Sequence, residues 1–449
     1  IEITPLSGPG APLNSGSDEL SRQGFLEEEF RLSGQAARYR FGEPAADATC
    51  IDAGHPYATR LLVRRPRDPS RFNGIVIVEW LNVSTGQDLD FVYAATRDLL
   101  WRRGYAWVGV SAQRVGVERL LAWNPARYDG VSVAAPQHDP EDGELLDPPQ
   151  AFTGAAGGDV LCWDIFSHAA WLLRHRSKSL LGDLRVDGLV AAGESQSAFR
   201  LSRYFNAIQP RAGLYDGFLL YDRGGPQPLR ADHRAKLIGM GSEFFAEYAG
   251  ASPSDAVNQR WWDLAGASHV SLAEMEDYID PQVMRDGVHV LKNRTVSLTA
   301  VLSKGAEPGA PPLWSRVPNG DLMKAALHAL TRWMKDGVEP PSAPRLQTRR
   351  QGESERLVRD ADGRALGGVR HPSYEVPSAM NVGVTEEPPK LAGVHLDFTP
   401  EEMTRRYGSP ERYFELVRAA VEHCVSQGFL LQEDADRVLV EAGQARFSR

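Results

Sequence analysis

The 449-residue chain is poor in features that mark several large protein classes. It holds only three cysteines, Cys50, Cys162 and Cys424. They are too few and too scattered for a disulfide framework or a paired-cysteine metal site, although one pair could still bond. Long apolar runs are missing, so no segment reads as a bilayer span. Basic residues are outnumbered: 50 Lys and Arg against 59 Asp and Glu leave a net charge of −9. A general nucleic-acid or anionic-membrane surface is therefore not expected. No HExxH pattern or His/Asp cluster points to a metal, and no internal repeat is visible. The first residue is Ile1, not Met, which fits a processed N-terminus. The expectation is a soluble chain, cytoplasmic or secreted.

What is present is ordinary for a globular protein: 42% hydrophobic and 24% charged residues, in more chain than one small core needs. Residues 1–20 read as a loose arm. Residues 24–41 carry part of a period-2 alternation with a turn at Ser33-Gly34. "YATRLLVRRP" (57–66) reads as another strand. "IVIVEW" (75–80) has the continuous apolar character of a strand buried on both faces. A helix follows over 90–104, then a strand over 105–111. Residues 112–157 are rich in Pro, Gly and Asp and read as a cap or lid insertion. Further on come a helix (159–176), a strand (186–193), a helix from Ser197, and strand candidates at 215–222, 236–242 and 260–268. Amphipathic helices are expected at 321–337 and 409–428, and a short one after 431. Strands alternating with helices imply an α/β fold with a mostly parallel sheet covered on both faces. The expected division is residues 1–345 as the main domain and 346–449 as a C-terminal extension.

The chemistry centres on "GESQS", residues 193–197, at a strand-to-helix junction. This is the setting of a nucleophile elbow, in which a sharp turn lifts a serine above the sheet. Ser195 is the expected nucleophile. The small second position is Ser197 where glycine is commoner. A serine needs a base and a carboxylate to orient it, in the chain order Ser, acid, His. Strand 236–242 ends at Glu243 and strand 260–268 at His269, so these are the expected acid and base. Asp222, closing "FLLYD", is the chief rival acid, and Glu247 a weaker one. An oxyanion site needs donors. The backbone N–H of Gln196 is one. The other is placed in "LNVSTGQ", with Asn82 first and Val83 next. Trp80, Trp123 and Trp262 lie near these segments and could line an apolar substrate pocket, although most such aromatics are core.

The stretches "VEWLNVS", "GESQSA", "GSEFF", "WDLAGASH" and "GGVRHP" resemble the α/β-hydrolase superfamily, in particular bacterial and fungal alpha/beta hydrolase domain-containing proteins. The resemblance implies the α/β-hydrolase fold, a serine esterase acting on a small-molecule carboxylic ester, no cofactor, and a triad of Ser195, Glu243 and His269. Lactonases, amidases, acyltransferases and non-catalytic binders occur in the wider superfamily, so the fold is better specified than the substrate. Soluble short or medium esters are the expected substrates.

Overall fold

Residues 1–149, 157–223, 228–250, 252–291, 293–303, 313–352, 354–386 and 390–448 are described by a computed structural model of the chain. The chain divides into two units, Ile1–Leu237 and Ile238–Arg449.

In the first unit, strands β1 (Glu2–Pro5), β2 (Phe25–Arg40), β3 (Thr49–Pro66), β4 (Ile75–Trp80), β5 (Ala106–Val110), β6 (Gly188–Glu194) and β7 (Gly217–Tyr221) lie in the order β1-β2-β3-β5-β4-β6-β7. Strands β5, β4, β6 and β7 run parallel to their neighbours in this set. Every residue of these four is buried, as parallel strands covered on both faces require. β1, β2, β3 and β5 pair antiparallel. Helices α1 (Phe91–Arg103), α2 (Arg114–Trp123), α3 (Cys162–His175) and α4 (Gln196–Ala207) fill the connections. α1 ends where the sequence predicts it: Gly104 takes a left-handed φ of 65°, and a Cβ there would meet the Arg71 carbonyl oxygen at 1.6 Å.

Two expectations are corrected. Ser33-Gly34 makes no turn; it lies inside the continuous 16-residue β2. Gly34 pairs with Tyr57, whose ring stands 3.3 Å from where a Cβ would be, so the glycine answers to packing rather than to a reversal. The stretch 112–157 also contains the regular helix α2; residues 150–156 of that stretch lie outside the described residues.

Buried ion pairs fix the loop after β4. Arg60 reaches Asp88 at 2.9 Å, Arg64 reaches Asp90 at 2.6 Å and Glu27 at 2.9 Å, and Arg127 reaches Glu29 at 2.8 Å. Removing one partner from such a set strands a buried charge, at a cost of about 3–5 kcal/mol.

The second unit begins within strand β8 (Lys236–Gly241), which neighbours β9 (Gln259–Asp263). Helix α5 (Glu243–Ala249) follows β8, and α6 (Asn319–Asp336), α7 (Pro410–Gln427) and α8 (Gln432–Ala442) come later. α7 has the termini its sequence announces: the Ser409 side chain accepts from the Arg412 N–H, Pro410 opens the first turn, and Gly428 closes it with φ 82°. Lys324 on α6 bonds Asp434 on α8 at 2.8 Å, and Asp321 pairs with Arg437, so α6 and α8 are joined through a buried charge cluster. No described helix is long and apolar enough to cross a membrane. Cys50, Cys162 and Cys424 are all free thiols.

Candidate active site

The corner at Ser195 follows from what its neighbours can accommodate. β6 ends at Glu194 and α4 starts at Gln196, so a single residue makes the turn, and Ser195 holds φ 56° and ψ −121°. Left-handed backbone costs a non-glycine residue about 1–2 kcal/mol, and such residues gather at functional positions. The turn folds α4 back against its own strand. A Cβ on Gly193 would sit 2.9 Å from Leu201 Cδ1, 3.0 Å from Ser197 Oγ and 3.1 Å from the Ala198 nitrogen. Ser197 suits the second small position because its hydroxyl has work there: Oγ accepts from the Glu194 N–H at 3.0 Å and donates to the Glu194 carbonyl at 2.9 Å. The Ser195 N–H donates to the Tyr221 carbonyl at 2.9 Å, extending the β6–β7 ladder beyond the Glu194–Tyr221 pair. The next residue of β7's chain, Asp222, is also left-handed, with φ 49°, and its side chain is buried.

The Gln196 backbone N–H opens α4 and has no acceptor among the described residues. Free N–H groups at a helix start favour negative charge. The amide atoms of the Gln196 side chain are likewise buried without a hydrogen-bond partner, as are those of Gln87.

Asn82 does not meet its expected role. Its backbone N–H donates to the Leu89 carbonyl at 3.0 Å, and Leu89 returns a bond of 2.8 Å to the Asn82 carbonyl. The donor proposed for an oxyanion is thus already engaged. The side chain is a brace instead: Nδ2 donates to the Glu194 carbonyl at 2.9 Å, and Oδ1 accepts from the Ser84 N–H at 2.8 Å. The loop after β4 is thereby tied to the elbow. Val83, the second choice, has a backbone N–H with no acceptor among the described residues.

In the second unit Glu243 is fully buried and bound by four donors. Oε1 accepts from the Gly266 N–H at 2.6 Å and the Tyr374 hydroxyl at 3.3 Å. Oε2 accepts from Arg359 Nη2 at 2.9 Å and the Gly383 N–H at 3.0 Å. The His269 ring is not among these donors. Burial pushes the Tyr374 phenol above its ordinary pKa, and the Glu243 charge adds to the effect. His269 is mostly buried. Its ring lies nearly parallel to Phe244, with centroids 5.5 Å apart, and 5.1 Å from Phe245. The His269 backbone N–H donates to the Leu391 carbonyl at 2.9 Å, and Asn319 Nδ2 donates to the Ser268 carbonyl at 2.8 Å.

Two of the three tryptophans assigned to a pocket are core residues. Trp80 is fully enclosed, bonds Gln113 Oε1 at 3.0 Å and packs on Trp163 and Phe166. Trp262 is equally enclosed, donates to the Pro341 carbonyl at 2.9 Å and packs edge-on against Phe429. Trp123 is half-buried beside Tyr128. Sequence reasoning missed Arg359, Tyr374 and Gly383 as partners of Glu243. Only the nearness of Tyr374 to the "GGVRHP" stretch hinted at them.

A parallel core whose strand β6 delivers a serine on a one-residue corner into a helix is the construction of an α/β hydrolase. The chain belongs to the alpha/beta hydrolase domain family, whose model matches residues 3–440. No curated protein matches the chain. Among solved structures, an α/β serine hydrolase without a lid from Xanthomonas campestris is similar at 12% identity and a TM-score of 0.31, covering 56% of this chain and 90% of that one. A fungal esterase from Rhizomucor miehei is similar at 11% identity and a TM-score of 0.25, covering 47% of this chain and 66% of the other. The rice cell wall degrading esterase LipA from Xanthomonas oryzae is similar at 10% identity and a TM-score of 0.26, covering 49% of each chain. The chain thus spans just under two thirds of the fungal esterase and about half of the LipA chain.

Proposed function

We propose that this protein is a serine hydrolase that cleaves small-molecule carboxylic esters through an acyl-enzyme, without a cofactor. Ser195 Oγ attacks the ester carbonyl. His269 takes the hydroxyl proton and returns it to the leaving alcohol. Glu243, a buried carboxylate, is the acid proposed to orient His269, by its place between Ser195 and His269 in the chain order. The N–H of Gln196, with that of Val83, holds the oxyanion. Water then attacks the acyl-enzyme by the same proton route. Trp123 is proposed to line the substrate pocket.

The observation that supports this reading best is the backbone at Ser195. The chain maintains a costly left-handed serine between a buried strand and an unfilled helix N-terminus, with Gly193 and Ser197 both shaped to allow it. A capping serine would need none of this. The test is covalent: a fluorophosphonate probe is expected to label the native protein at one serine, found at residue 195 by peptide mapping. Ser195→Ala is expected to lose labelling and to lower kcat on p-nitrophenyl butyrate by roughly 10⁵–10⁶-fold. Failure of the native protein to label would leave a binding protein of the same fold. Rapid turnover of emulsified long-chain triglyceride with little on short esters would overturn the preference for small soluble substrates.

A further inference from the structure

We propose that the side-chain amides of Gln196 and Gln87 are a substrate-reading pair, and that the ester this protein cleaves carries a neutral hydroxyl on its acyl chain close to the scissile carbonyl. The proposal rests on the serine-hydrolase reading above and deepens it. A buried polar group is normally hydrogen-bonded, and a primary amide offers donors on nitrogen and an acceptor on oxygen. Gln196 is 1% exposed and Gln87 0%. Among the described residues they are the only buried side-chain amides with neither the nitrogen nor the oxygen paired. Burying such a group without a partner is costly, which suits a group whose partner arrives with the substrate.

Both residues are fixed at the Ser195 corner from within the first unit. Gln196 is the first residue of α4, and Cα–Cβ bonds in a helix lean toward its N-terminus, so this side chain sets out toward the serine. Gln87 lies in the loop after β4, the strand that pairs with β6. The Asn82–Leu89 bridge closes that loop, and Asn82 Nδ2 ties it to the Glu194 carbonyl of the elbow. The carbonyls on either side of Gln87 are both held. Arg119 Nε donates to that of Gly86 at 3.0 Å, and Asn14 Nδ2 to that of Asp88 at 2.6 Å. The loop thus places Gln87 through its neighbours, while the Gln87 amide does none of the holding. The Thr85 hydroxyl of the same loop is also buried without a partner among the described residues. The chemistry of the reader narrows the ligand. A hydroxyl is the smallest neutral group that both accepts from an amide nitrogen and donates to an amide oxygen. An anion would instead meet the carboxylates of Asp88 and Asp90 in the same stretch, already matched by Arg60 and Arg64. Because Gln196 directly follows the nucleophile, the hydroxyl belongs on the second or third carbon of the acyl chain.

The test compares p-nitrophenyl 3-hydroxybutyrate with p-nitrophenyl butyrate on the full-length chain. The native enzyme is expected to prefer the hydroxy ester by about 10–100-fold in kcat/KM. Gln196→Met and Gln87→Met replace each amide by an unbranched apolar chain of similar length. In each variant the preference is expected to fall at least about fivefold, while the melting temperature holds or rises because an unpaired buried amide is gone. Amides that serve packing alone, or that pair only with bound water, would change both esters alike and leave the ratio in place. A native ratio near one, or a native preference that survives in either variant, would overturn the proposal. If a methionine variant does not fold, leucine at the same position takes its place, and the native ratio remains decisive. A native chain that neither turns over p-nitrophenyl butyrate nor takes the fluorophosphonate label would refute the hydrolase reading itself, a result distinct from turnover of both esters at equal rates.

Discussion

Gly193 shows how one missing atom sets the geometry of the whole corner. Its Cβ would collide with Leu201 Cδ1 and crowd the Ala198 nitrogen, and neither can retreat because Ala198 and Leu201 are fully buried. Gly193→Ala is expected to destabilise by about 1–3 kcal/mol, the usual cost of overpacking a filled site. Urea unfolding followed by circular dichroism measures it, and a parallel loss of fluorophosphonate labelling at native conditions tells whether the elbow has moved. Asn82 makes a complementary case. Asn82→Ala removes the brace between the β4 loop and the elbow and leaves the N–H of the exposed Ser84 to water. The expected cost is about 0.5–1.5 kcal/mol. The Glu194 carbonyl keeps Ser197 as a donor, so the elbow is expected to persist. A drop in kcat larger than the drop in labelling would mean that the brace aligns the oxyanion donors. No change in either stability or rate would refute the bracing role.

At the scale of elements, the charge cluster joining α6 to α8 has a direct pH consequence. Burial alone would raise the Asp321 pKa. The His371 imidazole at 3.3 Å, Lys324 at 3.0 Å and Arg437 override it and hold the carboxyl well below its ordinary range. A depressed carboxyl contributes stability that is complete above the unfolded-state pKa of about 4 and is lost as pH falls through the lower folded-state value. Asp321→Asn is therefore expected to be destabilised most at neutral pH, by about 3–5 kcal/mol. Its deficit against the native chain should shrink as pH drops below about 4. Urea midpoints between those conditions measure the difference, and a deficit that grows in acid would contradict the mechanism.

The same scale explains what the sequence could reveal. β4 and α1 are legible because each pattern is local: a run of β-branched residues in one, helical spacing and a closing glycine in the other. The elbow is legible for the same reason, since Gly193, Ser195 and Ser197 meet within five residues. α2 was hidden because it is short and interrupted by Gly116, where a Cβ would strike the Asp88 carboxylate at 1.9 Å. The β2 strand was misread at Ser33-Gly34 because the reason for that glycine, Tyr57, is on another strand. The partners of Glu243 were hidden on the same principle. Its four partners come from Gly266, Arg359, Tyr374 and Gly383, and no spacing near residue 243 encodes them.

At the scale of the whole molecule, three free thiols give a reporter for each unit. Cys50 is exposed. Cys162, in the first unit, is wholly buried, and burial pushes its thiol well above its ordinary pKa. Cys424, in the second unit, is pushed up to about 12 by burial, with Asp321 adding to the shift. A thiolate is the reactive species, so both buried cysteines are doubly protected. The native chain is expected to release one equivalent with Ellman's reagent at once, and three when unfolded in concentrated guanidinium. With Cys50→Ser as background, labelling of Cys162 and Cys424 under increasing urea follows the opening of each unit separately, because each thiol lies in one unit only. A chain of this size need not unfold in one step, and two labelling transitions at different urea concentrations would show it. Coincident transitions would mean that the units open together. Rapid reaction of all three thiols in the native chain would contradict the burial of both helices that carry them.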